Sequence, residues 1–153
     1  MALYLVQHGK SLAREEDPEQ GLSAVGIAES ERIAGVARNY GVKVSRIRHS
    51  PKKRARQTAE VFAAALAPEG GCEAVEGILP LDDVVAAARR LSEEHNLMLV
   101  GHLPFMSRLT SFLITGAVES PVFKFQNSGI VCLKKDPDGG GWVIRWTLMP
   151  HIA

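Results

Sequence analysis

Hydrophobic positions along the chain fall into two alternating patterns. Leu3–Val6 and Leu97–Val100 are short unbroken apolar runs, whereas the stretches between carry apolar residues at helical spacing. This alternation is that of a parallel sheet covered by helices. Leu3 to Val6 is the first strand. After an acidic loop containing Pro18 and Gly21, Ser23 caps a helix running to about Tyr40, with Ile27, Ile33, Ala34 and Ala37 as its buried stripe and Gly41 as its stop. Val42 to Arg48 reads as a second strand, after which Ser50 as N-cap and Pro51 at the first helical position open a helix through about Ala67. A short edge strand is expected around Ala74, a third helix with an acidic first turn over residues 80–95, a strand from Leu97 to Val100, and a fourth helix from about Pro104 to Ile114. Residues 122–126, 129–135 and 141–149 then read as strands, the last two joined by a turn over Asp136–Gly141. The expected fold is α/β: a three-layer αβα sandwich whose mostly parallel mixed sheet is closed by a C-terminal antiparallel hairpin, in a single domain spanning residues 1–153.

A chain of 153 residues is long enough to bury roughly two thirds of its unfolded surface in one core. Cys72 and Cys132 form no metal-type cluster, and with no signal peptide ahead of them they read as reduced thiols of a cytoplasmic protein. No apolar stretch approaches the roughly 18 residues that cross a bilayer, so no membrane partner is expected. The net charge of +1 argues against a general nucleic-acid binder. The segment Arg46–Arg56 nevertheless concentrates lysine and arginine, as a solvated helix face or as an anion site.

Three histidines share one context. His8, His49 and His102 each stand at the carboxyl end of a predicted strand, the edge of an open α/β sheet at which ligands bind. His8 and His102 adjoin glycines, which let backbone approach a ligand closely. His95, at a helix end, and His151, in the tail, read as structural. The helix after Ser50 offers free amide groups and a positive dipole end, and Arg54, one turn in, is able to grip phosphate oxygens bidentately. Phosphate is the economical ligand. A metal held by the three histidines is disfavoured because no HxH or HxxxH pair occurs and carboxylates are missing from the strand ends, Glu76, Asp82 and Asp83 being the nearest candidates. No cofactor is expected.

Leu3–Ser11, Ser50–Phe62 and Leu99–Leu109 resemble, in order, the three motifs of the histidine phosphatase superfamily, whose signature is Arg-His-Gly. With the small size, the helix entry at Gly21–Gly26 and the terminal Val143–Pro150, the resemblance covers nearly the whole chain and is closest to SixA-type phosphohistidine phosphatases. It implies a phosphoglycerate mutase-like fold and a phosphatase working through a phosphohistidine intermediate. His8 would be the nucleophile, with Arg54 and His102 in the pocket, and Gln7, Gly9, Gln20 and Ser50 would be phosphate-binding, through side chains at the two glutamines and through amides near Gly9 and Ser50. His102 would have to be a cation or at least a donor. His49 occupies a position the pattern does not fix, and reads as rim or as a plain strand end. This chain departs from the pattern at Gln7 and Gln20, where the family carries arginine, and each change removes charge while keeping an amide donor. Lys10 would restore charge only by bending inward. Without the insertions that build a lid in larger relatives, the implied substrate is phosphohistidine on a signalling or phosphotransfer protein. A degenerate phospho-ligand-binding module and a small phosphate-ester phosphatase are the alternatives.

Overall fold

The computed structural model describes residues 2–91 and 95–152. Its elements, in chain order, are β1 (Ala2–Gln7), α1 (Ala24–Asn39), β2 (Arg46–His49), α2 (Lys53–Leu66), β3 (Cys72–Ala74), α3 (Val84–Arg90), β4 (Leu97–Gly101), α4 (Phe105–Thr115), β5 (Ile130–Lys135) and β6 (Trp142–Leu148). The strands form one sheet in the order β3-β2-β4-β1-β5-β6. β3, β2, β4 and β1 run parallel, and β5 and β6 are antiparallel additions. The fold is therefore the expected mixed sheet with a closing hairpin.

The two central strands are apolar on both faces because helices cover both. Tyr4 and Val6 join the core beneath α1 and α2, whereas Leu3 and Leu5 join the core beneath α3 and α4, as the two-residue period of a strand requires. Burial of each such side chain stabilises the fold by about 1.5–3 kcal/mol. That anchors β1 and β4 firmly up to their carboxyl ends. Edge strand β6 instead alternates between half-buried and exposed positions.

Four expectations need correction. Residues 42–45 are not strand, because β2 meets its partner only at Arg46, opposite Leu97; Val44 is buried without ladder pairing. The helix after β2 starts at Lys53 with Lys52 as its cap residue, so neither Ser50 nor Pro51 opens it. Ser50 is fully buried and its hydroxyl is used elsewhere, as described below. Residues 122–126 form no strand; Phe125 is buried and packs edge-to-face on Phe123, their ring centroids 5.7 Å apart. The third helix is Val84–Arg90, opened by Asp83, whose carboxylate accepts from the Val85 and Ala86 amides. Its predicted continuation over residues 92–94 lies outside the described residues. The predicted Ser23 cap is present, accepting from the Gly26 amide at 3.0 Å.

Register brings the chemistry to one edge. Gln7 lies opposite Gly101 and His49 opposite Val100, so the residues that follow β1, β2 and β4 emerge side by side.

Candidate active site

His8 follows β1, and its backbone is held from three directions. Its amide donates to the Gly101 carbonyl at 2.9 Å, its carbonyl accepts from Asn127 Nδ2 at 2.8 Å, and the next amide, of Gly9, donates to Thr58 Oγ1 at 2.9 Å. The ring is fixed as well. Nδ1 lies 2.7 Å from the Gly9 carbonyl, and because a carbonyl only accepts, Nδ1 carries the proton. In a neutral imidazole the lone pair is then on Nε2, which bonds to none of the described residues. Burial holds the His8 pKa below its ordinary value; the bond to Gly9 opposes this and the Arg54 charge reinforces it. His8 is thus a neutral, oriented nitrogen base.

The His102 ring stands beside it. The two ring centroids are 5.1 Å apart and the planes inclined by 58°. His102 is 1 % exposed, its Nε2 lies 2.8 Å from Ser50 Oγ, and that hydroxyl also accepts from the Lys52 amide at 3.3 Å. Burial, followed by His8, Arg54 and Lys52, pushes the His102 pKa down to about 3. The cationic form entertained from sequence is therefore disfavoured without a ligand, and the neutral ring offers one N–H. Among the described residues its buried Nδ1 has no hydrogen-bond partner, which is uncommon in native interiors.

Positive charge arrives from α2 and from the loop between β1 and α1. Arg54 is in the first turn of α2, its pKa lowered by burial and by the neighbouring Arg14. The loop is pinned to the same turn: Lys53 Nζ lies 2.9 Å from Asp17, and the Leu22 amide donates to Gln57 at 2.7 Å. Lys53, then the amides of Gly21 and Glu19, hold the Asp17 carboxyl down to about 2. Gln20 stands in this loop with a left-handed φ of 51°, and its Oε1 accepts from Arg14 Nε at 3.3 Å.

The His8 and His102 rings stand side by side, and the Arg54 charge acts on both. The others are placed differently. The Gly9 amide is engaged by Thr58 and the Ser50 amide by the Val100 carbonyl at 3.0 Å, so the amides first assigned to an anion already have acceptors. Ser50 contributes its hydroxyl instead, to His102. Gln7 is half-buried, and its Oε1 is buried without a hydrogen-bond partner among the described residues. His49 is buried, with Nδ1 donating to the Ser50 carbonyl at 2.7 Å. Lys10 Nζ sits 3.9 Å from Glu29, which His151 also contacts. Asp82 accepts from the Leu79 amide and Asp83 caps α3, so both serve local structure.

Sequence reading missed Thr58, Asn127 and Arg14. Thr58 had a signal, since it follows Arg54 by four residues and so shares its helix face; its hydroxyl donates to the Arg54 carbonyl at 2.7 Å. Gly9 packs into a tight corner where an added Cβ would lie 3.0 Å from both Ser30 Oγ and Ser128 Oγ. A groove of about 560 Å³ between α1 and α2 is lined by Leu22, Ile27 and Gln57 among others, and by none of the three converging residues. The converging chemistry, not groove size, marks the site.

In sequence and in fold the chain is similar to known phosphatases. The sequence model of the histidine phosphatase superfamily (branch 1) matches residues 3–76. The chain is 27 % identical over 156 aligned positions to phosphohistidine phosphatase SixA of Escherichia coli, with 98 % of this chain and 94 % of that protein covered. The structure of the protein histidine phosphatase SixA complexed with tungstate superposes with a TM-score of 0.84 at 26 % identity, covering 98 % of this chain and 97 % of that one. A mycobacterial glucosyl-3-phosphoglycerate phosphatase shares the fold at a TM-score of 0.72 and 14 % identity, covering 97 % of this chain and 99 % of that one.

Proposed function

The chain belongs to the histidine phosphatase superfamily and is SixA-like, and on that premise we propose that it removes phosphoryl groups from phosphohistidine on a partner protein by way of a phosphorylated His8. The observation that carries this reading is the pair of imidazoles 5.1 Å apart, the first with its lone pair fixed on Nε2 by the Gly9 carbonyl. In the first step Nε2 attacks phosphorus, the bond to the leaving imidazole nitrogen breaks, and that nitrogen takes a proton from solvent. Water then attacks the His8 phosphoramidate, releasing inorganic phosphate and regenerating the neutral ring. Arg54 and the His102 N–H face the equatorial oxygens, where charge spreads during transfer. Gln7 lies beside them and Gln20 at the loop, each with a neutral amide. The relative's complex with tungstate, a tetrahedral oxyanion, supports a phosphoryl site.

Imidazole leaves more readily than an alkoxide, so the reaction needs little help from an acid. That supports a phosphoramidate substrate in a pocket where Asp82 and Asp83 are occupied structurally. Two unpaired cysteines, Cys72 and Cys132, fit a reducing compartment, and among the described residues no helix is long and apolar enough to cross a membrane. The test is phosphate release from a phosphohistidine-carrying protein. The natural chain should turn it over and yield an acid-labile phosphoryl-enzyme on rapid quenching, and His8→Ala should lose both; equal rates for the two proteins would overturn the proposal. A natural chain that binds oxyanions tightly without turnover, and that gains none with Gln7→Arg, would mark it as a binding module, whereas a gain with Gln7→Arg would mark it as an attenuated enzyme.

A further inference from the structure

Gln7 and Gln20 leave the pocket two guanidinium groups short of the family pattern, and the nearby cations divide into two sets. In the first, charge is already matched. Lys10 lies 3.9 Å from Glu29, Lys53 2.9 Å from Asp17 and 3.8 Å from Glu19, and Arg56 3.6 Å from Glu60. In the second set are Lys52, Arg14 and Arg54, which have no carboxylate within ion-pair distance among the described residues; Lys52 is a point charge without a guanidinium fork, and the Arg14 charge acts on Arg54.

The only hydrogen bond that Arg14 makes within the described residues runs from Nε to the neutral Oε1 of Gln20, 3.3 Å away. Both Nη groups are left over, and the side chain is exposed. Two guanidiniums brought together without a counter-charge repel, and a dianion between them reverses the sign of that interaction. The loop that delivers Arg14 is not loose. Asp17 ties it to Lys53, the Gly21 amide bonds back to Asp17 at 2.9 Å, and Leu22 is bonded to Gln57 of α2. Gln20 is held in a left-handed backbone conformation, unusual for a residue with a side chain, and there its amide meets Arg14.

We propose that Arg14 supplies the second guanidinium of the phosphoryl pocket, leaving Gln20 to bond a phosphoryl oxygen when the dianion binds, in place of the arginine that the family carries at position 20. This rests on the phosphoryl reading of the site made above. Gln20 then holds Arg14 until the dianion binds. Lys10 does not take this part, because Glu29 already claims it.

The experiment measures orthovanadate affinity and kcat/KM on a phosphohistidine protein for the natural chain, Arg14→Ala, Arg14→Lys and the double variant Arg14→Ala/Gln20→Arg, with melting temperature as the control on folding. Loss of a charge-assisted contact should weaken vanadate binding about 10- to 100-fold in Arg14→Ala, with kcat/KM falling in parallel and the melting temperature unchanged. Arg14→Lys should recover part of the loss, because it keeps the charge but not the fork. The double variant should recover more. Vanadate binding by Arg14→Ala within about twofold of the natural chain, or no recovery in the double variant, would overturn the inference and leave the phosphoryl site standing. Absence of vanadate binding by the natural chain would overturn both.

Discussion

The Gly9 amide and the Arg54 carbonyl meet on one hydroxyl, that of Thr58, which accepts from the first at 2.9 Å and donates to the second at 2.7 Å. This short chain of bonds links the backbone that orients His8 to the helical turn that presents Arg54, and it is buried. Thr58→Val keeps the shape and removes both bonds, leaving the Gly9 amide without an acceptor at a cost of about 1–3 kcal/mol. The expected outcome is a lower melting temperature together with a fall in kcat on a phosphohistidine substrate. Thr58→Ser should restore both, since the hydroxyl alone carries the link. A Val variant with natural kcat and reduced stability would make Thr58 a packing residue only. His8, Arg54 and His102 were legible in the sequence because each sits at a strand end or one turn into a helix, in a motif of fixed local spacing. Arg14 was not, because its significance depends on a loop folding back onto α2 through Asp17 and Lys53, residues 36 positions apart.

At the scale of elements, the approach of α1 to the His8 loop decides whether the site forms. Gly26, in the first turn of α1, packs directly on the backbone of Lys10, and a Cβ there would collide with the Lys10 carbonyl and lie 2.9 Å from its amide nitrogen. Those atoms belong to backbone and are unable to swing away. Gly26→Ala should therefore cost more than the few tenths by which alanine favours a helix, with overpacking of about 1–3 kcal/mol as the expected net loss. Thermal unfolding checks the loss, and vanadate affinity should fall with it because Gly9 and Lys10 must shift. Ser23 as the start of this helix was readable from local chemistry. The start of α2 was not: Ser50-Pro51 has the composition of a helix opening, but the Ser50 hydroxyl is drawn to His102 across the sheet edge, and the helix begins three residues later. Residues 122–126 misled for a related reason. Their aromatic content serves the core under α4, and burial alone does not distinguish a strand from a packed loop.

For the whole molecule, a pocket assembled from buried neutral imidazoles beside cations makes stability depend on pH and on anions together. An unfolded histidine takes up its proton near 6.5, whereas His102 in the fold stays neutral down to about 3; His8 shifts in the same direction. As pH falls through that window the unfolded chain binds the proton first, so stability drops by up to about 1.4 kcal/mol per pH unit for each such ring. Near pH 7 the contribution is fully present. Sulfate, a dianion throughout this range, should favour the protonated ring, raise its pKa and so oppose the loss. The expected result is that the melting temperature of the natural chain falls between pH 7 and pH 4, that sulfate restores more of it at pH 4 than at pH 7, and that His102→Asn flattens both dependences relative to the natural chain. A variant whose pH and sulfate responses match those of the natural chain would mean that His102 is not the group coupling protonation to the anion. The same coupling gives the pocket its logic on the proposed mechanism: burial, reinforced by the Arg54 charge, keeps both rings uncharged and His8 nucleophilic, and a substrate dianion offsets the cationic charge, so that His102 is able to take the proton that serves the developing charge.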